Sequence, residues 1–539
     1  MRDLELQERV LTHRLRRVAE EAPEDVFLQF GGVEHSFGDF EIATNSAANT
    51  LDELGLQKRG RMGIFARNSY GFVLAWLSAA KLGAIYVPIN TEYRGDILQY
   101  QLNDSRVTHL LVDPEFLPLI VEVVDRLPEL KHIVLSAPTE VPTRLYSTCN
   151  ILTLSDLLTG KPAAPATKVT HADPMAISFT SGTTGLSKGV LATNAHVATY
   201  ALDWAHLVAL AKGESVYTPL PLFHAIAAWM GVGSSILYGN RIAISPRFSV
   251  TTYWDELRAA NANIAQGIFS MLPILMKQPA REDDSVQPAR AYYIGNSNPE
   301  FEERFGIEII EAYGATETGI VAGTPFGKPR KGTSCGRIND HTFDAIVADE
   351  DDKPLAFGEG GELLVRPKQP FAMFSGYDNK DESTIESWRN LWFHTGDRCR
   401  MDEDGSLYFI DRARDVIRRR GENISSFELE RAVNKHPDIL ECAVVPVQSD
   451  LGEFEVKIVV VMLPGKESTP DEFWAFCDEV LPRFWVPSYL EFRESLPKTG
   501  TQKVQKFRLK SIGEDCDTYA RDWQSGKIVL ISARKETAL

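Results

Sequence analysis

Short apolar runs recur through the first two-thirds of the chain, separated by longer stretches in which polar and apolar positions mix at helical spacing. Met62–Ala66 reads as a buried strand, Ser69 to Leu82 as a helix, and Ala84–Pro88 as the next strand. The same rhythm returns at Thr108–Val112, His132–Leu135, Arg241–Ser245 and Ile264–Phe269. Strands alternating with helix-length segments predict parallel sheets covered on both faces. Beyond Pro325 the pattern shifts. Asp344–Ala348 and Gly361–Val365 read as strands of a small β-rich region with turn-forming residues between them. A charge-dense connector, Asp411 to Arg420, then precedes an α+β stretch with helices at Ser426–His436 and Pro470–Val480 and strands at Ile439–Val447 and Glu455–Met462. Lys527–Ser532 reads as a further strand. The fold class expected is α/β. It comprises a large N-terminal lobe of doubly covered parallel sheets with a small β-rich subdomain, residues 1–413, and a smaller mobile α+β C-terminal domain, residues 414–539.

Met1 to Glu21 is charged throughout, reads as a surface helix and lacks the apolar core of a signal peptide. Ser215 to Asn240 has no charged residue and is long enough to cross a bilayer. Pro219, Pro221, His224 and three glycines interrupt it, so it reads as a buried strand, turn and helix, and no membrane anchor is expected. With 57 basic and 74 acidic residues the formal net charge is -17, which argues against nucleic-acid binding. Any site for a phosphorylated ligand must then be a local basic or amide-rich patch. The six cysteines show no Cys-x-x-Cys spacing, so reduced thiols and a cytoplasmic location are expected.

The most informative segment is Ile177-Ser-Phe-Thr-Ser-Gly-Thr-Thr-Gly-Leu-Ser-Lys-Gly189. An alternating strand runs into a loop of glycines and hydroxyl residues closed by Lys188. Gly182, Gly185 and Gly189 allow close approach of backbone N–H groups to an anion, Thr180, Ser181, Thr183 and Thr184 add hydroxyl donors, and Lys188 adds a point charge. It is not a Walker A loop, because Ser187 precedes the lysine and Gly189 follows it. Taken alone, it is equally a polar turn of the kind common between a strand and a helix.

Further motifs follow in order. They are Tyr313-Gly-Ala-Thr-Glu-Thr318, Trp392-Phe-His-Thr-Gly-Asp397, Asp411-Arg-Ala-Arg-Asp415 with Gly421-Glu-Asn-Ile424, and Leu496-Pro-Lys-Thr-Gly-Thr-Gln-Lys503. Together with Thr180–Gly189 they make the chain resemble the adenylate-forming superfamily of acyl-CoA synthetases, peptide-synthetase adenylation domains and beetle luciferases. Among its branches the pattern is closest to crotonobetaine/carnitine-type acyl-CoA ligases. The resemblance implies ATP, Mg²⁺ and coenzyme A as ligands and a small carboxylic acid as substrate. It implies a ligase that makes an acyl-adenylate and then a CoA thioester. The alternative is transfer of the acyl group to a carrier-protein pantetheine or another acceptor; no carrier domain follows in this chain. A non-catalytic relative is disfavoured by the joint presence of Lys188, Glu317, Asp397 and Lys503. The sequence leaves monomer and homodimer open.

The same resemblance assigns roles. Glu317 would hold Mg²⁺ through carboxylate oxygen, unless it is a helix-start carboxylate. Tyr313 would stack on adenine, unless it is a core tyrosine. Gly314 and Thr316 flank these, and Gly295, Asn296 and Ser297 resemble the adenine-edge loop. Asp397 would bind the ribose hydroxyls, its alternative being a turn-initiating aspartate. Arg412 would contact the ribose–phosphate region, and Arg414 falls at a hinge position usually occupied by Lys or Asp. Lys503 would be the catalytic lysine, with Gln502 where glycine is usual; the alternative is one more solvated charge beside Lys506 and Lys510. His224 would gate the acyl and nucleotide pockets. Trp229, Met230 and Phe269 would line an apolar acyl pocket, although they are equally ordinary core residues. Gly421, Glu422 and Asn423 would face the CoA tunnel. No carboxylate lies within Phe223–Gly231 to pair with a trimethylammonium group, though Trp229 offers a cation–π face.

Overall fold

The computed structural model describes residues 4–180, 187–268, 271–294, 297–412, 417–419, 422–424, 426–448, 454–481, 483, 485–498, 504–513, 516–522 and 527–531. It shows the expected α/β architecture, in two compact units: Met1–Ala345 with Val365–Phe393, and Ile346–Leu364 with His394–Leu539.

The first unit carries two seven-stranded sheets, each largely parallel and each closed at one edge by an antiparallel hairpin. In the first sheet the order is Asn150–Thr153, His132–Leu135, His109–Val112, Arg61–Phe65, Ile85–Pro88, Pro174–Thr180, Lys188–Thr193. In the second it is Glu308–Ile310, Ala291–Tyr293, Ile264–Gln266, Ser215–Thr218, Arg241–Ile244, Val26–Phe30, Val33–Ser36. The central strands are buried along their whole length, as their unbroken apolar runs require of a sheet covered on both faces. Helix Tyr70–Lys81 starts where Ser69 accepts a hydrogen bond from the Phe72 N–H at 3.1 Å, the cap expected of a serine there. A three-stranded antiparallel sheet, Ala312–Ala315, Gly319–Gly323 and Arg337–Ile338, completes this unit.

The N-terminal helix, Leu11–Glu21, lies at the surface as expected: Leu11, Leu15 and Val18 are buried along one face, while Arg16 and Arg17 are exposed on the other. The strand expected over Ile264–Phe269 ends at Gln266, next to Gly267, where a Cβ would lie 2.5 Å from the Tyr292 hydroxyl. Ser215–Asn240 forms a strand, a π-helical segment at Ile226–Gly233 and a short helix ended by Gly239 at φ 67°. Among the described residues no helix is long and apolar enough to cross a membrane.

The second unit contains a four-stranded sheet ending in Phe393–Met401 and Leu407–Arg412, and a five-stranded sheet built on Ile439–Gln448 and Phe454–Met462. Helices Ser426–Val433 and Pro470–Val480 cover the latter, around a core that includes Leu429, Ile458 and Trp474. Thr469 and Glu472 form a reciprocal capping box at the start of the second helix. All six cysteines are free thiols.

Candidate active site

Thr180 and Lys188 face each other across the antiparallel pair Pro174–Thr180 and Lys188–Thr193, with the Thr180 hydroxyl 3.5 Å from the Lys188 carbonyl. The chain thus enters a strand, not a helix, from Lys188 onward. Helix Asn194–Leu207 begins only after the second strand, where Thr193 accepts from the His196 N–H at 3.1 Å. The loop's trailing end is tied to helix Gly95–Asp104. The Tyr100 hydroxyl donates to the Ser187 carbonyl and the Gln101 amide to the Ser187 hydroxyl, each at 3.1 Å. Gly189 has no room for a side chain, because a Cβ would sit 2.7 Å from a methyl of Ile177. Its role is packing within the strand pair as well as backbone freedom.

Glu317 stands at the turn of a second hairpin, Ala312–Ala315 with Gly319–Gly323. This removes the helix-start alternative for that residue. Thr318 closes the turn by accepting from the Ala315 N–H at 3.1 Å, and Gly319 takes the left-handed conformation at φ 83°. Gly314 is dictated by close approach: a Cβ there would lie 2.1 Å from the Gly319 carbonyl oxygen. Tyr313 and Thr316 are half-buried on the same hairpin.

The two hairpins meet through a segment that sequence reasoning did not single out. Phe374 donates its N–H to the Glu317 carbonyl at 3.0 Å, and the Tyr377 hydroxyl donates to Glu317 Oε1 at 3.1 Å. Ser375 donates to the Leu191 carbonyl, Leu191 to that of Gly376, and Asp378 to that of Gly189. The segment thus extends the edge strand that begins at Lys188. The Lys188 ammonium lies 5.0 Å from the centroid of the Tyr377 ring. Burial, reinforced by the neighbouring Glu317 charge, pushes the Tyr377 phenol up, so it stays a donor at neutral pH. Nothing local in the sequence signals Tyr377, because its partners are brought to it by pairing between distant segments.

Trp229 and Met230 are almost wholly buried in the π-helical segment Ile226–Gly233. The Trp229 indole N–H donates to the Tyr86 hydroxyl, and its ring meets His196 and Tyr200 edge-on at 5.6 and 6.0 Å. Neither ring nitrogen of His196 has a hydrogen-bond partner among the described residues, and burial pushes this imidazole down to about 3. Burial also holds the Tyr200 phenol far above its usual range, with Tyr293 and Glu317 adding to the effect. These side chains present an uncharged aromatic wall. His224 is half-buried, its ring 4.7 Å from that of Phe223, in a turn closed by its own N–H on the Pro221 carbonyl. Ser297 is half-buried.

In the second unit Asp397 lies within strand Phe393–Met401, directly opposite Arg412. One rung of a ladder therefore brings the two expected ribose-side residues together, and the turn-initiating alternative for Asp397 falls. Its backbone is held locally. Asp397 donates to the Thr395 hydroxyl at 3.1 Å, Gly396 donates to Glu362 Oε1 at 3.0 Å, and the other Glu362 oxygen is 3.1 Å from His394 Nδ1. Glu422 and Asn423 pair through the backbone with Arg419 and Arg418.

The sequence pattern of the AMP-binding enzyme family matches residues 15–378, and that of the AMP-binding enzyme C-terminal domain matches residues 428–503. The chain belongs to the AMP-binding enzyme family. The resemblance read from its motifs is borne out. Among curated relatives of this AMP-binding enzyme, crotonobetaine/carnitine–CoA ligase from Salmonella heidelberg is 32% identical over 490 residues, 88% of this chain and 93% of the relative. Among solved structures, anthranilate CoA ligase AuaEII in complex with anthranoyl-AMP aligns with a TM-score of 0.84 at 24% identity, over 94% of this chain and 97% of that one. ATP-bound MatB from Rhodopseudomonas palustris aligns with a TM-score of 0.81 at 23% identity, over 93% and 98%. At these identities the solved structures speak to the fold, which is that of adenylate-forming enzymes.

Several of the AMP-binding enzyme's expected site residues lie outside the described residues: Ser181, Gly182, Thr183, Thr184, Gly185, Phe269, Gly295, Asn296, Arg414, Gly421 and Lys503. Those described fall into groups. Lys188 and Glu317 both contact Tyr377, Thr180 pairs with Lys188, Trp229 stands against His196 and Tyr200, and Asp397 is opposite Arg412.

Proposed function

We propose that this AMP-binding enzyme joins a carboxylic acid to coenzyme A through an acyl-adenylate, with ATP converted to AMP and diphosphate. The observation that supports the reading is the convergence of Lys188 and Glu317 on one tyrosine, an arrangement suited to a phosphate-binding cation and a metal-binding carboxylate. The relatives named CoA ligases support thiol transfer to coenzyme A.

The residues fit Mg²⁺. Among the described residues no cluster of three or more His, Cys, Asp or Glu side chains forms a metal cage. A hairpin-tip carboxylate with one oxygen oriented by a phenol suits an ion that takes one or two protein oxygens and completes its shell with water and phosphate. When bound, the ion would draw charge from the polyphosphate and help the diphosphate leave. Lys188 and the loop from Thr180 would hold the departing phosphates, Asp397 and Arg412 the ribose side, and Tyr313 the adenine. Lys503 would stabilise charge on the α-phosphoryl oxygens as the acid's carboxylate attacks. A rotation about Arg414 would then withdraw Lys503 and bring Gly421–Asn423 to the thiol. His224, Trp229, Met230 and Phe269 would border the acyl group. The lack of a carboxylate within Phe223–Gly231 favours an acid without a fixed positive charge.

Acid-dependent exchange between ATP and labelled diphosphate tests the first half-reaction, across a panel of aliphatic, aromatic and trimethylammonium acids. Exchange with at least one acid is expected, followed by AMP and acyl-CoA on adding coenzyme A. No exchange with any acid would overturn adenylation. Exchange without acyl-CoA, but with acylation of a pantetheinylated carrier, would replace coenzyme A as acceptor.

A further inference from the structure

Tyr377 touches both charged groups of the proposed polyphosphate site, Lys188 and Glu317, and it uses a different part of itself for each. Its ring face carries the Lys188 ammonium at 5.0 Å, and its hydroxyl donates to Glu317 Oε1 at 3.1 Å. Its backbone is fixed to the same two hairpins. Tyr377 forms an antiparallel bridge with Val190, two residues beyond Lys188. Within the same segment, the Asp378 N–H binds the Gly189 carbonyl at 2.8 Å and the Phe374 N–H binds the Glu317 carbonyl at 3.0 Å. The Phe374 ring packs against the tyrosine at 5.1 Å, leaving little rotational freedom. A residue needed only to fill this volume could be phenylalanine; the hydroxyl is spent on a carboxylate.

From this geometry we infer that Tyr377 is a positioning residue for magnesium nucleotide: it fixes the separation of Lys188 and Glu317, so that both act on one polyphosphate. This inference rests on the reading of Lys188 as a phosphate ligand and Glu317 as a metal ligand. The hydroxyl serves the metal side, since it restrains the rotamer of the carboxylate and leaves that carboxylate's charge in place. The ring serves the phosphate side, since it holds the ammonium on a preformed face and reduces the freedom lost when phosphate binds.

Calorimetric titration of the full chain with ATP, in Mg²⁺ and in EDTA, separates these contributions. Tyr377→Phe is expected to weaken binding in Mg²⁺ about tenfold, the scale of one hydrogen bond to a charged group, with binding in EDTA and the melting temperature unchanged. Tyr377→Leu is expected to weaken binding in both conditions. In steady state the KM for ATP rises with Tyr377→Phe while that for coenzyme A stays put. Lys188→Met and Glu317→Gln are the controls. If both controls lose magnesium-nucleotide affinity while both tyrosine variants bind like the parent, Tyr377 does not position them. Equal weakening by Tyr377→Phe in Mg²⁺ and EDTA, together with a lower melting temperature, would mean a packing role only and would equally overturn the inference. If Lys188→Met and Glu317→Gln also bind like the parent, the reading beneath it fails instead.

Discussion

At Gly314 the backbone of one hairpin strand passes so near the other that a single methyl group has nowhere to go, since the atom it would strike, the Gly319 carbonyl oxygen, belongs to the backbone. Gly314→Ala is therefore expected to cost about 1–3 kcal/mol or more in urea unfolding, and to weaken ATP binding by moving Glu317. The candidate site residues whose chemistry is intrinsic, such as Lys188, Glu317 and Asp397, stand out in the sequence because charge type and motif spacing are local properties. Tyr377 and His196 do not, because their importance comes from neighbours supplied by distant segments. His196 and His109 carry a further expectation. Burial is the leading cause in both, and it pushes them down to about 3 and about 4, so the native state keeps both neutral where the unfolded chain is already protonated. Their contribution is intact above pH 6.5, the ordinary histidine value, and drains away as pH falls from there toward 4. Each histidine adds a slope of up to about 1.4 kcal/mol per pH unit. Thermal melts across that range should flatten in His196→Leu and His109→Leu; an unchanged slope in both would refute the account.

Among the elements, the strand that follows the glycine- and hydroxyl-rich loop was not legible in the sequence. The alternative reading there was a polar turn of the kind common between a strand and a helix, but Lys188–Thr193 is a strand that pairs back onto Pro174–Thr180. The period of the hydrophobic pattern over so short a run does not separate these outcomes. Strand and helix positions elsewhere were legible because whole apolar runs, as at His132–Leu135, and capped amphipathic runs, as at Pro470–Val480, repeat over enough residues to define a period. Helix Gly95–Asp104 was not expected to bear on the site, yet it holds the loop's exit through Tyr100 and Gln101. Tyr100→Phe with Gln101→Ala should raise the KM for ATP several-fold and lower the melting temperature by a few degrees, each lost bond being worth about 0.5–1.5 kcal/mol and Gln101 being buried. An unaltered KM would show that the loop does not need this anchor.

For the whole molecule, the proposed two-step cycle makes a kinetic distinction. Lys503→Ala should slow adenylate formation by about a hundredfold or more, while thioester formation from supplied acyl-adenylate stays near the parent rate. Equal loss in both half-reactions would sink the assignment of one lysine to one step. The sequence could mark a connector near Asp411–Arg420 by its charge, but not that the chain crosses between the compact units three times, at 345/346, 364/365 and 393/394. That pattern bears on the order of events at the ribosome. Glu317 and Lys188 are synthesised well before Phe374–Asp378, the segment that ties their two hairpins together. A nascent chain halted after the second hairpin would hold every described strand of both large sheets and still lack the strap between its two hairpins. On the proposed assignment, competence to bind magnesium nucleotide should thus appear late in translation, after residue 378 and then the ribose-side pair Asp397 and Arg412 have cleared the exit tunnel.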